Sequence, residues 1–298
     1  FLLAVGGGSV IDGTKFIAAA VNYVGDEWQI LETHGAKITQ ALPFGSVLTL
    51  PATGSEMNSG GVVTRKSTQT KLAFGSSHVF PQFSVLDPNK TYSLPLRQLA
   101  NGVVDAFIHV MEQYLTYSVN AQVQDRFAES LLQTLIEIAP KVVEESADYD
   151  TRANLMWTAT MALNGLIGAG VPQDWSTHMI GHELTALHNI DHARTLAIVL
   201  PANMQVRRAQ KRDKLLQYAE RVWHIVDGDE EQRIDAAIAR TRAFFEDLGL
   251  PTRLADYQLG AKDIDEVIKQ LEAHKLTKLG EHQDISLDVS RRILEASL

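Results

Sequence analysis

The sequence predicts an α/β unit followed by an all-helical one, and two observations carry that prediction. Up to about Tyr92, short apolar runs alternate with polar and glycine-bearing loops, as strands of an open sheet do. After Ser93-Leu94-Pro95, apolar residues recur at intervals of three and four to the C-terminus, which is helical periodicity. The boundary therefore falls near residues 93 to 95, giving units 1–93 and 94–298.

The elements follow in order. Phe1-Leu2-Leu3-Ala4-Val5-Gly6 reads as a buried parallel strand already under way at the first residue. Gly6-Gly7-Gly8 turns it into a helix from Ser9 to about Tyr23. Further extended runs are expected over Gly45–Pro51, Val62–Arg65, Leu72–Phe74 and Phe83–Asp87. In the second unit, Val123, Phe127, Leu131, Leu135, Ile138 and Val142 make one helical stripe, and Ile234, Ile238, Phe245 and Leu248 another. Each stripe is expected to bury one face of its helix. Gly165, Gly168 and Gly170 with Pro172 separate two helices, and Gly249-Leu250-Pro251 ends a third by the glycine-then-proline rule.

Composition narrows the chemistry. The chain has 298 residues, no cysteine, 45% apolar residues, and 27 basic against 36 acidic side chains for a net charge of −9. Disulfides, thiolate metal sites and cysteine nucleophiles are excluded. The negative balance argues against a nucleic-acid partner. One basic run, Arg207, Arg208, Lys211, Arg212 and Lys214, reads as a solvated helix face. No apolar stretch approaches the roughly 18 residues of a membrane span, and no signal peptide is evident, so a soluble cytoplasmic protein is expected.

Val5-Gly6-Gly7-Gly8-Ser9 joins strand to helix, so its backbone N–H groups would meet an anion at the helix N-terminus, a phosphate or pyrophosphate being the natural guest. It is not a full dinucleotide fingerprint, because the third glycine would fall at Ile11, and no Gly-Lys-Ser/Thr makes it a Walker loop. The competing account makes Ser9 a plain N-cap, with Asp12 closing a capping-box-like pair. A second loop, Thr49 to Glu56, also leaves a strand end. Its hydroxyls suit phosphate or ribose, with Lys71 as a positive charge; ordinary turn chemistry is the competing account.

Four of the ten histidines, His178, His182, His188 and His192, fall within fifteen positions. Asp105 and His109 lie four apart in an apolar segment, so both leave one helix face and need a partner. His178 and His182 repeat that spacing, after Asp174 as the expected N-cap. One carboxylate and three imidazoles suit Fe²⁺ or Zn²⁺, or Mn²⁺ or Ni²⁺, whereas a buried ion pair is the bland account of Asp105 and His109. His182-Glu183 does not open a zincin motif, since Ala186 stands where a histidine is required. His188 and His224 read as ordinary helix-end or surface histidines.

Taken together, Gly6-Gly7-Gly8-Ser9-x-x-Asp12, Thr53-Gly54-Ser55-Glu56, Asn101-Gly102-x-x-Asp105-x-x-x-His109, His178-x-x-Gly181-His182-Glu183 and Asp191-His192 resemble the iron-containing, or group III, alcohol dehydrogenases. The segment Val171-Pro172-Gln173-Asp174-Trp175 leading to His178 is similar to their butanol dehydrogenase branch, whose bacterial members reduce many aldehydes with NADPH. The resemblance implies a partial Rossmann-like dinucleotide-binding domain followed by a helical metal-binding domain, the dehydroquinate synthase-like fold, with the active site in the cleft between them. It implies metal ligands at Asp105, His109, His178 and His192 for Fe²⁺ or Zn²⁺. Pyrophosphate would meet Gly7, Gly8 and Ser9, with Asp12 near the nicotinamide side and further cofactor contacts at Thr49, Thr53, Asn58 and Lys71. His182 resembles the family's additional active-site histidine. NADP(H) is implied ahead of NAD(H), with a small aldehyde or primary alcohol as substrate and a homodimer as assembly. Family members carry strands and helices before the Gly-Gly-Gly-Ser strand, including the adenosine loop, and this part of the cofactor domain is expected to be absent from the chain. The rival readings are a dehydroquinate synthase-like lyase and, if the polypeptide starts at Phe1, a metal-binding fragment without catalytic competence.

Overall fold

The computed structural model describes residues 1–144 and 146–298. Contacts group the chain into two compact units, Phe1–Ala106 with Lys141–Gly165, and Phe107–Pro140 with Leu166–Leu298. Relative to a boundary at residues 93 to 95, the first half of one helix and the whole of another pack with the sheet.

The first unit begins with β1 (Leu2–Gly6), α1 (Gly8–Ala20), a single turn α2 (Gln29–Glu32), β2 (Phe44–Leu48), β3 (Gly60–Arg65), β4 (Thr70–Gly75) and β5 (Ser84–Leu86). Three strands form a parallel sheet in the order β1-β2-β5, with Leu2 opposite Phe44 and Ser46 opposite Ser84. β3 and β4 form a separate antiparallel hairpin. Ala4, Ile11, Ala18, Phe44 and Leu48 make the core beneath the sheet, joined by Met156. The opening strand is not buried on both faces: Ala4 is 1% exposed, but Leu3 and Val5 are 56% and 57% exposed. Strand side chains alternate between faces, and α1 packs on one of them.

The helices continue with α3 (Leu96–Tyr114), α4 (Gln122–Val142), α5 (Tyr149–Ala162), α6 (Ser176–His188), α7 (His192–Val206), α8 (Arg212–Arg221), α9 (Glu230–Asp247), α10 (Ala261–Ala273) and α11 (Leu287–Glu295). The stripe expected on α9 is buried as read, with Ile234 and Phe245 fully so. Phe107 meets Phe245 edge-on at 5.5 Å. Gly249 takes φ +77° just past α9, and Leu250 N–H returns to Phe245 O, the glycine-based helix stop that the sequence signals. On α4 the stripe is rotated at its N-terminal half, while Leu135 and Val142 are buried as expected. Ala128, Leu132, Leu135, Ala139 and Val142 are buried, whereas Val123 and Phe127 are exposed. Two alanines in the buried row allow closer approach than the bulkier residues of the expected row. Among the described residues, no helix is long and apolar enough to cross a membrane.

Candidate functional site

The glycine loop takes the strand-to-helix form expected of it, but its details differ. α1 starts at Gly8 with Gly7 as N-cap, and Gly7 O receives the N–H groups of Val10 and Ile11 at 3.1 and 3.2 Å. Ser9 lies inside the helix and caps nothing. Asp12 closes no capping box either: its carboxylate accepts from Ser55 Oγ at 2.5 Å and Val62 N at 2.9 Å, tying α1 to the Thr53–Glu56 turn and to β3. A long-range anchor has displaced the local cap. Glycine at position 8 is demanded by space, since a Cβ there would stand 2.4 Å from Thr53 Oγ1. Thr53 is therefore pressed against the loop, and Thr49 N–H is bound to Gly6 O at 3.0 Å. Asn58 is engaged within the chain: its Oδ1 accepts from Lys15 and Gly60 N–H, and its Nδ2 donates to Leu163 O.

Lys15, which the sequence reading passed over, is fully buried and donates to Asn58 Oδ1 at 2.9 Å and Gly60 O at 2.6 Å. Burial lowers its pKa to about 8, although the Asp12 and Glu56 carboxylates act in the other direction. An unfolded chain keeps that proton to about 10.4. Between those values the unfolded state binds more protons, so the free energy of unfolding rises with pH. Moving from pH 8 to 9.5 is expected to add about 1–2 kcal/mol from this residue. Urea titrations at both pH values measure the rise, and Lys15→Met should remove this share of it. Lys71 is similarly lowered to about 8 by burial, with Asp105 and then Asp12 opposing, so β4 brings a cation near the Asp105 carboxylate.

On the helical side, α3 carries Asp105 and His109 one turn apart, each 4% exposed. α6 carries His178 and His182 one turn apart, and His192 is the first residue of α7. The rings gather closely. His109 stacks on His178 with centroids 4.7 Å apart, His178 lies 5.4 Å from His192, and His182 lies 5.1 Å from His192. His178 and His192 offer ring nitrogens within 4.8 Å of one another. Trp175, not Asp174, occupies the N-cap position of α6. It is held in the left-handed region at φ +61°, with its indole N–H on Gln173 Oε1 at 2.7 Å and its ring edge-on to His178. A non-glycine residue there is strained, and such strain concentrates at sites the surrounding structure holds rigid.

Asp174 accepts from Ser176 N at 2.8 Å, but its larger partner is Lys211 Nζ at 2.5 Å. Burial alone would raise Asp174; the Lys211 ammonium and the Ser176 hydrogen bonds outweigh it and hold the carboxyl below its ordinary range. Lys211 also donates to Leu115 O at 2.6 Å and to Glu281 at 3.0 and 3.1 Å. Beside this cluster, Glu112 is driven well above the usual carboxylate range by burial and by Asp174, while the His178 N–H acts in the opposite direction. The basic run is thus not a solvated face. Arg207, Lys211 and Lys214 are buried, on Asp284, Asp174 with Glu281, and Asp125 respectively, while Arg208 and Arg212 hold more exposed pairs. The acids that draw three of these side chains inward lie 37 to 89 positions away, beyond any local pattern.

Two family models match the chain: "Iron-containing alcohol dehydrogenase" over residues 1–88 and "Fe-containing alcohol dehydrogenase family, C-terminal" over residues 99–297. The chain is 64% identical over 299 residues to the NADPH-dependent aldehyde reductase YqhD of Escherichia coli K12, covering all of this chain and 77% of that protein. It is 43% identical to the probable NADH-dependent butanol dehydrogenase 1 of Bacillus subtilis, again over 100% and 77%. The crystal structure of E. coli YqhD superposes with a TM-score of 0.99 over 100% of this chain and 77% of that one. The NADH-dependent butanol dehydrogenase A of Thermotoga maritima, 33% identical, superposes with a TM-score of 0.93 over 99% and 75%.

Proposed function

The chain belongs to the iron-containing alcohol dehydrogenase family, and on that premise we propose that it interconverts small aldehydes and primary alcohols using NADP(H). The observation that carries the reading is the convergence of His109, His178 and His192 from three helices, with Asp105 one turn from His109 on α3. This donor set of imidazole nitrogens and one carboxylate fits Fe²⁺ or Zn²⁺. At the loop, Thr53 crowds Gly8 so closely that only glycine fits there, and the first N–H groups of α1, which the helix cannot bond internally, suit a pyrophosphate.

Bound in these places, the metal supplies Lewis acidity toward a carbonyl oxygen and the nicotinamide supplies hydride. The chain's part is placement and proton handling. Asp105, His109, His178 and His192 hold the metal. Gly7, Gly8 and Ser9 seat the pyrophosphate, and Asp12 fixes the helix behind them through Ser55 and Val62. Thr49, Thr53, Asn58 and Lys71 complete the cofactor side, Thr53 by direct contact with the loop and Asn58 by ordering the backbone around Gly60. His182, its ring 5.1 Å from that of His192, holds or moves the proton that the product alcohol gains. The same reading makes the protein a cytoplasmic homodimer with no nucleic-acid or membrane partner.

The test is a direct assay: NADPH oxidation with butanal after reloading with Fe²⁺ or Zn²⁺, against a chelator-treated control. Net, metal-dependent NADPH consumption is expected. Its absence would remove the dehydrogenase reading in favour of a dehydroquinate synthase-like lyase, which returns its nicotinamide unchanged, or of a chain without catalytic competence. Gly8→Ala should weaken NADPH binding by about tenfold or more, the loss of one charge-assisted hydrogen bond to phosphate, as followed by cofactor fluorescence.

A further inference from the structure

We infer that Glu112 is a positioning residue for His178, fixing that imidazole so that Nδ1 carries the proton and Nε2 is the nitrogen offered to a metal. The inference rests on the metal reading given above. Glu112 is 2% exposed, and one oxygen, Oε1, accepts the backbone N–H of His178 at 2.9 Å and lies 3.1 Å from the same residue's Nδ1. The first contact fixes where α6 places its backbone. The second fixes the rotation of the ring about its χ angles.

Position along α3 makes this economical. Glu112 follows Asp105 by seven residues and His109 by three, so all three leave one face over two helical turns. One helix thereby presents two proposed ligands and the brace for a third. The brace is itself held. Glu112 O accepts Asp174 N–H at 2.8 Å, and Lys211 joins Asp174 to Leu115 O, clamping the end of α3 to the entry of α6. With Nε2 given to a metal, Nδ1 must carry the ring proton, and Glu112 Oε1 is its acceptor. Ligating histidines are commonly oriented in this way, and loss of such an outer partner costs about 10–100-fold in metal affinity.

The test measures metal binding and ligand field, independent of turnover. Zn²⁺ dissociation constants are taken by competition with a chromophoric chelator, and visible spectra are taken of the Co²⁺-loaded protein. Glu112→Ala is expected to raise the Zn²⁺ constant by about 10–100-fold and to shift the Co²⁺ bands. Glu112→Gln keeps a carbonyl to accept from Nδ1–H and is expected to recover most of the affinity while still shifting the bands, because an amide oxygen accepts from the ring with a different strength than a carboxyl oxygen. A merely structural Glu112 would lower thermal stability and leave the Co²⁺ spectrum alone. A folded Glu112→Ala protein with wild-type Zn²⁺ affinity and an unshifted spectrum overturns the inference. Where Glu112→Ala fails to fold, unchanged affinity and spectrum in Glu112→Gln overturn it equally. Should the wild-type protein bind neither Zn²⁺ nor Co²⁺, the metal reading itself fails and takes this inference with it; strong binding by the wild type with indifference to Glu112 removes this inference alone.

Discussion

Replacing His192 with alanine is expected to strip the protein of its metal and to lower aldehyde turnover by about a thousandfold or more. His192 starts α7, so alanine there removes an imidazole without interrupting a helix. The local frame survives, because Thr195 Oγ1 bonds to the carbonyl of His192 and not to its ring. Loss of Lewis-acid polarisation is worth several kcal/mol of barrier, which sets the expected size of the effect. Elemental analysis and turnover, taken on one preparation, should fall together, while the melting temperature of the metal-free protein stays near that of metal-free wild type. Full activity in a variant shown to hold no metal would rule the mechanism out.

The gathering of the proposed metal-side residues is legible in the sequence because their relations are local. His178, His182 and His192 crowd into one stretch, and Asp105 and His109 share a helix face by their spacing alone. The features that escaped depend on distant segments. Asp12 looks like half of a capping box until Ser55 and β3 are brought beside it. Lys15 looks like a surface lysine, yet it is sealed under the Asn58–Gly60 turn. Its one local mark is its place three residues after Asp12 on α1. Glu112 carried a similar mark, three residues beyond His109 on the same face, but an acid on a helix is too common to single out without its partner. The fold class rested on periodicity and survived well. Which face a strand or helix buries depends on what covers it, and so the exposed side of β1 and the rotated stripe of α4 lay beyond the pattern.

The largest stability effect is expected at Lys211, where a reading of the basic run as solvent-facing would predict almost none. Lys211→Met keeps much of the buried aliphatic length and removes the ammonium that Asp174 and Glu281 share. Lys211 and Asp174 are each about 95% buried. Water therefore cannot replace the lost partner cheaply, and stranding a buried charge costs about 3–5 kcal/mol. Native stability is only about 5–15 kcal/mol, so the variant should unfold at markedly lower denaturant concentration. The sign with pH is also fixed. Asp174 is held below its ordinary range in the folded protein, so its contribution is fully present above the unfolded-state value and is lost as pH falls through the lower folded one. In Lys211→Met that source of acid sensitivity should vanish, because the carboxyl is no longer depressed. A double variant, Lys211→Met with Asp174→Asn, removes the stranded charge and should recover part of the loss, measured by urea unfolding of all four members of the cycle. Equal stability of Lys211→Met and wild type would mean that the ammonium is hydrated in solution and that the clamp between α3 and α6 is not made by this pair.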